Sequence, residues 1–392
     1  MNIQIINISF PEVFQRYSRK YNIFREFYEF GLSALELRNI SNENAGDIHK
    51  IILEKKEICY KAKNGSGEFS DLLVLGNLSS FKQLAKEILA RGKEDLGYKI
   101  SSVLRNYSDY DQLSISIGGK DYKLTDNYII GILNVTPDSF SDGGKYLNPE
   151  QALNHAYQMI NEGADFIDIG GESSRPGSDP VSAEVELQRV IPIIEGIKKQ
   201  FPKINLSVDT TKHEVASEAL RKGVSIINDI SGGNFDPKIL EVTKKYNAAF
   251  VIMHLPGTPK DMQQNPHYDD VVTEVYDNLQ DKINRAKKTG IKNILVDPGI
   301  GFGKRVKDNF ELIKRLDEFK CLGMPVLIGI SRKSFLGKTL NLNVDERESA
   351  TLISETLSIK KGARFIRTHN CKNAVQAKQL FKYFNNPDEI NV

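Results

Sequence analysis

Eight short apolar runs in the second part of the chain each end in residues able to do chemistry. Asn134 closes the first and opens a loop, Val135 to Gly144, rich in small and acidic residues. Gly170 leads into Gly171-Glu172-Ser173-Ser174-Arg175-Pro176-Gly177. The later runs end at Asp209, at Asn228 and Asp229, at His254, at Asp297 ahead of Pro298 to Lys304, at Ser331-Arg332-Lys333-Ser334 and at Arg367-Thr368-His369-Asn370. Arg175, Arg367 and His369, set at separate run ends, are the donors an anion site requires. Lys and Arg number 53 against 51 Asp and Glu, a formal charge of +2. That balance excludes a general nucleic-acid binder, so an anionic ligand must be held by such a local cluster. Several residues have plainer readings beside the chemical one. Asp209, just before Thr211 and Lys212, could cap the next helix, and Asp297-Pro298-Gly299 also reads as a turn. His254, next to Leu255 on a buried run, reads as structural. Gly299, Gly301 and Gly303 alternate without forming a dinucleotide fingerprint.

The elements that must hold these residues repeat one phrase. The runs are Ile129 to Asn134, Phe166 to Gly170, Asn205 to Asp209, Ile226 to Ile230, Ala249 to His254, Ile294 to Asp297, Pro325 to Gly329 and Phe365 to His369, each followed by a loop and an amphipathic stretch. Continuous apolar character marks strands buried on both faces, as in a parallel sheet with helical crossovers. Gly163, Gly223, Gly290 and Gly362 each precede a strand, where a left-handed residue ends the preceding helix. Thr211-Lys212-His213-Glu214 has the spacing of a capping box. Eight such units over residues 127–392 match a (β/α)8 TIM barrel in count and size, with a doubly wound sheet as the alternative. Active sites of such barrels lie at the C-terminal ends of the strands, which is where the polar residues fall.

Residues 1–126 read as a small N-terminal α/β accessory region without visible chemistry. Ile3 to Ile8 and Leu72 to Leu75 suit strands, Asn44 to Lys56 and Ser79 to Arg91 suit helices, and Leu113 to Leu124 around Gly118-Gly119 suits a hairpin. The composition, 40% hydrophobic and 27% charged, is globular. Three separated cysteines, Cys59, Cys321 and Cys371, argue against a disulfide framework or a zinc site and for a reducing compartment. No apolar run is long enough to span a bilayer, and Met1 to Phe10 lacks a secretory pattern, so the expectation is a cytoplasmic protein without membrane contact.

The segments GILNVTPDSFSDGG, DIGGESSRPGS, SVDT, IINDISGG, MHLPGTP, VDPGIGFGK, GISRKS and IRTHN resemble the dihydropteroate synthase family, in that family's order, across the last two-thirds of the chain. The resemblance implies condensation of 6-hydroxymethyl-7,8-dihydropterin diphosphate with 4-aminobenzoate. It implies a catalytic and pterin-reading set of Asp209, Asn228, Asp297 and Lys333, with Met253 and Phe302 packing on the ring. Arg175, Arg367 and His369 would hold the diphosphate, and Asn134 a Mg²⁺ ion. Asp138, Phe140, Ser174 and Pro176 would surround 4-aminobenzoate, in the pocket that sulfonamides occupy. A homodimer is implied as well. Departures are small: Ser174 replaces a more usual Thr, Leu255-Pro256 a Met-Gln, and Asn370 an Asp. A pterin-binding methyltransferase serving a corrinoid partner would share Asp209, Asn228 and Asp297 but would not need the diphosphate cluster. A non-catalytic pterin-binding paralogue is the third reading, and the retained Asn134 and anion set speak against it.

Overall fold

A computed structural model of the chain describes residues 1–23, 33–55, 58–61, 67–136, 149–173 and 177–389. Two compact units emerge. One holds Met1–Tyr110 together with Glu318–Gly323, the other Asp111–Asp317 and Met324–Val392.

The first unit is built on an antiparallel sheet of β1 (Asn2–Ile6), β2 (Ser33–Ser41), β3 (Ile58–Lys61) and β4 (Phe69–Gly76), in the order β1-β2-β4-β3. Helices α1 (Pro11–Tyr21), α2 (Asn42–Lys55), α3 (Leu78–Ala90) and α4 (Glu94–Ser108) complete it. Val13, Phe14, Tyr17 and Tyr21 line the apolar stripe of α1 and join Ile6, Ala34, Leu73 and Leu75 in one core cluster. The edge strand β1 is closed by the returning segment: Gln4 Nε2 and the Asn7 backbone N–H donate to the two oxygens of Glu318, at 3.0 and 3.1 Å. Asn106 Nδ2 from α4 donates to the Cys321 carbonyl at 3.1 Å.

The second unit opens with a hairpin, β5 (Ser114–Ile117) and β6 (Lys120–Lys123). Eight parallel strands follow: β7 (Tyr128–Asn134), β8 (Phe166–Gly170), β9 (Asn205–Asp209), β10 (Ile226–Asp229), β11 (Ala249–Met253), β12 (Ile294–Asp297), β13 (Val326–Ile328) and β14 (Ala363–Thr368). β14 pairs back to β7, so the sheet is a closed barrel, and the doubly wound alternative falls away. The outer layer comprises α5 (Pro149–Asn161), α6 (Ala183–Gln200), α7 (His213–Arg221), α8 (Lys238–Lys245), α9 (Val271–Thr289), α10 (Val306–Lys314), α11 (Ser334–Leu340), α12 (Glu348–Lys360) and α13 (Cys371–Asn385). The four glycines expected at helix ends all have positive φ, from +93° at Gly223 to +102° at Gly290.

Tyr122 from the hairpin packs 4.9 Å from both Phe166 and Tyr128, the first residues of β8 and β7, and Arg364 Nε donates to the Leu124 carbonyl. These contacts place the hairpin with the barrel, so the compact units part at Tyr110/Asp111, whereas the sequence suggested 126/127. The expected capping box does not form. α7 starts at His213, whose N–H is taken by the Asp236 carboxylate at 2.8 Å, while Thr210 Oγ1 accepts from the Lys212 N–H. No helix among the described residues is long and apolar enough to cross a membrane.

Candidate active site

Strand register brings the polar residues into one ring. Asp209 is the neighbour of both Gly170 and Asn228, Asn228 of Val251, and Met253 of Asp297, so β8 to β12 deliver them to adjacent positions at the C-terminal mouth. Gly170 leaves space there: a Cβ on it would stand 3.4 Å from Asn134 Oδ1 and 3.6 Å from Asp209 Cβ. Beside Asp209 a cavity of about 330 Å³ opens, lined by Glu172, Ser178, Lys212, Ile230 and Phe235 among others.

A charged chain runs through this ring. Arg367 Nη2 donates to Asp209 Oδ2 at 2.9 Å, and Arg367 Nε to Asp168 Oδ2 at 2.6 Å. The same Asp168 oxygen accepts from Asn228 Nδ2 at 2.9 Å. Burial pushes the Asp209 carboxyl up to about 7, with Arg367 pulling against it and Asp168 adding to the rise. Burial raises Asp297 too, opposed by the Gly299 N–H that donates to its Oδ1 at 2.7 Å and by Lys333. Lys333 is lowered to about 8, by burial and then by Arg367, while Asp297 and Asp209 hold it up.

Lys333 reaches its place through two backbone devices. Arg332 before it has a left-handed φ of +57°, a conformation costing about 1–3 kcal/mol for a residue with a side chain. It is held by Thr351 Oγ1 on its N–H, by Glu348 on its Nε and by Arg347 on its carbonyl. Gly301, at φ +87°, clears the path, since a Cβ there would meet Lys333 Cδ at 2.8 Å. The ammonium then stands 3.9 Å from the centre of the Phe302 ring, a cation–π contact. Phe302 packs on a buried apolar cluster of Ile230, Met253, Leu255 and Met262. The alternating glycines thus serve packing: a Cβ on Gly299 would meet the His254 carbonyl at 2.0 Å.

Beneath this loop Lys304 is buried, its Nζ bonded to the Gly299 and Phe302 carbonyls and to His254 Nδ1 at 3.0 Å. Burial and neighbouring lysines keep His254 neutral, well below its ordinary pKa, as a structural acceptor. His369 is anchored from Ser331, whose Oγ takes its backbone N–H at 3.2 Å and lies 2.9 Å from its Nδ1. Glu186, with no exposed surface, and the half-buried Glu172 both grip Lys212 beside the cavity.

Asn134, Asp209, Asn228, Met253, Asp297, Phe302, Lys333, Arg367 and His369 therefore all belong to the strand-end mouth. Arg367, expected on an anion, is engaged by two carboxylates. Asp138, Phe140, Ser174, Arg175 and Pro176 lie outside the described residues. Asp168 and Lys304 were not among the expected site residues. A carboxylate in the middle of the apolar strand Phe166-Ile167-Asp168-Ile169-Gly170 was the available signal for the first, and a lysine closing a three-glycine loop for the second.

Residues 130–369 match the family described as pterin binding enzyme. The dihydropteroate synthase of Escherichia coli strain K12 is 44% identical over 264 residues, 67% of this chain and 93% of that one. The chain belongs to the dihydropteroate synthase family of pterin-binding enzymes. Among solved structures, the Xanthomonas albilineans dihydropteroate synthase with 4-aminobenzoic acid superposes with a TM-score of 0.65 at 39% identity, over 70% of this chain and 98% of that one. The same organism's synthase in complex with 7,8-dihydropteroate gives 0.63 at 36% identity, over 70% and 99%. The likeness to these synthases is thus a transferase-sized likeness, covering nearly all of each relative.

Proposed function

We propose that the protein joins 6-hydroxymethyl-7,8-dihydropterin diphosphate to 4-aminobenzoate, giving 7,8-dihydropteroate and diphosphate. The observation that carries this reading is the convergence of two carboxylates, a carboxamide and an ammonium, Asp209, Asp297, Asn228 and Lys333, beside the apolar pair Met253 and Phe302. A pterin presents a flat ring whose edge alternates donors and acceptors. Ionised Asp209 and Asp297 accept its N–H groups, each charge-assisted bond contributing about 1.5–3 kcal/mol. Asn228 matches the amide, Lys333 donates to the ring carbonyl, and Met253 and Phe302 cover the face.

In the reaction the bond between the pterin methylene carbon and the diphosphate oxygen breaks, and its electron pair leaves with diphosphate. The amine nitrogen of 4-aminobenzoate then bonds to that carbon and sheds a proton. Positive charge develops on the pterin, where the fixed carboxylates are already aimed, so preorganised electrostatics carries the acceleration. Arg175, Arg367 and His369 receive the departing diphosphate, Arg367 exchanging part of its carboxylate contact for phosphate oxygens. Asp138, Phe140, Ser174 and Pro176 form the 4-aminobenzoate side. Asn134, whose side-chain oxygen faces the space Gly170 leaves open, would hold the Mg²⁺ ion, which would supply neutralisation of charge on the leaving group.

The protein acts as a cytoplasmic homodimer in this reading. Cys321 and Cys371 are in no disulfide, as a reducing compartment allows. Ile353 and Leu357 on α12, and Leu380 and Phe384 on α13, are apolar and 52 to 80% exposed on two helices that pack together, a surface suited to a partner copy. The deciding experiment is an assay with the pterin diphosphate and radiolabelled 4-aminobenzoate, with and without Mg²⁺. Labelled dihydropteroate formed only with the metal is expected, and pterin binding without product would overturn the catalytic reading. Sedimentation equilibrium tests the dimer.

A further inference from the structure

We infer that Asp168 is a positioning residue for pterin recognition, one that fixes which end of the Asn228 carboxamide is offered to the ligand and holds the Arg367 guanidinium in register with it. The inference rests on the reading that the ring of Asp209, Asn228, Asp297 and Lys333 binds a pterin.

Asp168 lies one inward-facing position below Gly170 on β8, paired to Ile132 and Ser207, with 1% of its surface exposed. Barrel layers at that depth are normally filled by branched apolar side chains. A carboxylate there is costly unless it is paired and fully used. One oxygen, Oδ2, is used twice, by Asn228 Nδ2 and Arg367 Nε, while Oδ1 is buried without a hydrogen-bond partner among the described residues. The group is therefore underused as a fold-stabilising element, and both side chains it does hold reach the mouth.

The consequence for Asn228 follows from donor and acceptor chemistry. A carboxylate only accepts, so Asn228 must turn its NH₂ toward Asp168 and keep its carbonyl Oδ1 for other partners. The usual ambiguity between the two ends of a carboxamide is removed by the neighbour's charge. A ligand meeting Asn228 therefore meets an acceptor and must supply an N–H, as a pterin edge does. Arg367, held at Nε, spans to Asp209 with Nη2, so one carboxylate in the lower layer sets the orientation of a residue on β10 and of one on β14.

The test uses the full chain and calorimetric binding of 6-hydroxymethyl-7,8-dihydropterin, a probe without diphosphate. Asp168→Asn should weaken that binding about tenfold or more, while the KM for 4-aminobenzoate at saturating pterin diphosphate moves less than about twofold. Asn228→Asp keeps an acceptor of the same shape but sets carboxylate against carboxylate, and should lose about as much. Combining the two substitutions restores a donor facing an acceptor and should bind the probe better than either single variant. Probe binding by Asn228→Asp equal to wild type overturns the inference, and so does a combined variant that binds the probe no better than either single variant. Should Asp168→Asn alone fail to fold, the combined variant against Asn228→Asp decides, because recovery of probe binding on adding the change at position 168 comes only through that pair. Failure of the reading beneath it is separate: wild-type protein that neither binds the probe nor makes dihydropteroate removes the pterin site itself, whereas wild-type binding with unaltered variants removes only the role of Asp168.

Discussion

In the N-terminal unit the carboxylate of Glu36, with no exposed surface, is saturated. Oε1 accepts from Tyr21 at 2.7 Å and Lys20 at 2.9 Å, and Oε2 from Arg38 and from Tyr17 at 3.4 Å. In the barrel the carboxylates of Asp168 and Asp209 share a single guanidinium, Asp168 keeps a buried oxygen without a partner among the described residues, and burial drives Asp209 toward protonation. Both clusters are ionic and inward-facing on strands. The first has spent its hydrogen-bonding capacity on its own fold, and the second holds capacity in reserve for something that arrives. Buried charge is therefore not itself the mark of a functional site; incomplete pairing at an accessible mouth is.

Four experiments bear on that contrast. The largest effect is expected from Glu36→Ala, which leaves Arg38 and Lys20 without their shared acceptor and should cost about 3–5 kcal/mol of stability in denaturant unfolding, with kcat/KM of the folded protein unchanged within about twofold. A loss of turnover without a loss of stability would break the contrast. Asp209→Asn should do the reverse, lowering kcat/KM by about 10²–10³ with little change in melting temperature. The folded state holds the Asp209 proton more tightly than the unfolded chain does, so its ionisation weakens folding as pH rises from about 4 toward 7.

Pterin recognition needs Asp209 ionised and Lys333 protonated, so kcat/KM should climb through about pH 7 and fall above about pH 8, and Asp209→Asn should flatten the acid limb. A flat profile in the wild-type protein would show that neither group is held in reserve. The smallest effect is expected from Phe302→Leu, which keeps apolar bulk but removes the ring beneath the Lys333 ammonium. A cation–π contact contributes about 0.5–2 kcal/mol, so the KM for the pterin substrate should rise about 2- to 30-fold.

The barrel was legible because its strands, such as Ala249–Met253 and Ile294–Asp297, are apolar without interruption, a pattern few arrangements other than a covered parallel sheet produce. The strand-end residues were legible because the architecture fixes where chemistry can sit. Asp168 escaped because that rule directs attention to the last residue of a strand, and its influence is exerted from one layer down. In the N-terminal unit β2 escaped for a related reason: Glu36 and Arg38 interrupt its apolar pattern, and only the fold shows that Tyr17, Tyr21 and Gln4 arrive to satisfy them. The boundary at Tyr110 was hidden because the segment completing that unit lies more than 200 residues further on, and no local pattern announces a contact such as Asn106 with Cys321.

That returning segment bears on how the protein comes into being. Gln4 and Glu318 are 314 residues apart, so on the ribosome the first strand emerges early and waits with an open edge while most of the barrel is synthesised. Contacts of such separation close late and slowly. A fragment ending near Tyr110 would be a strand edge in search of a cover, and a chain arrested before Gly323 would have neither unit finished. A strand made early is thus among the last elements to be secured.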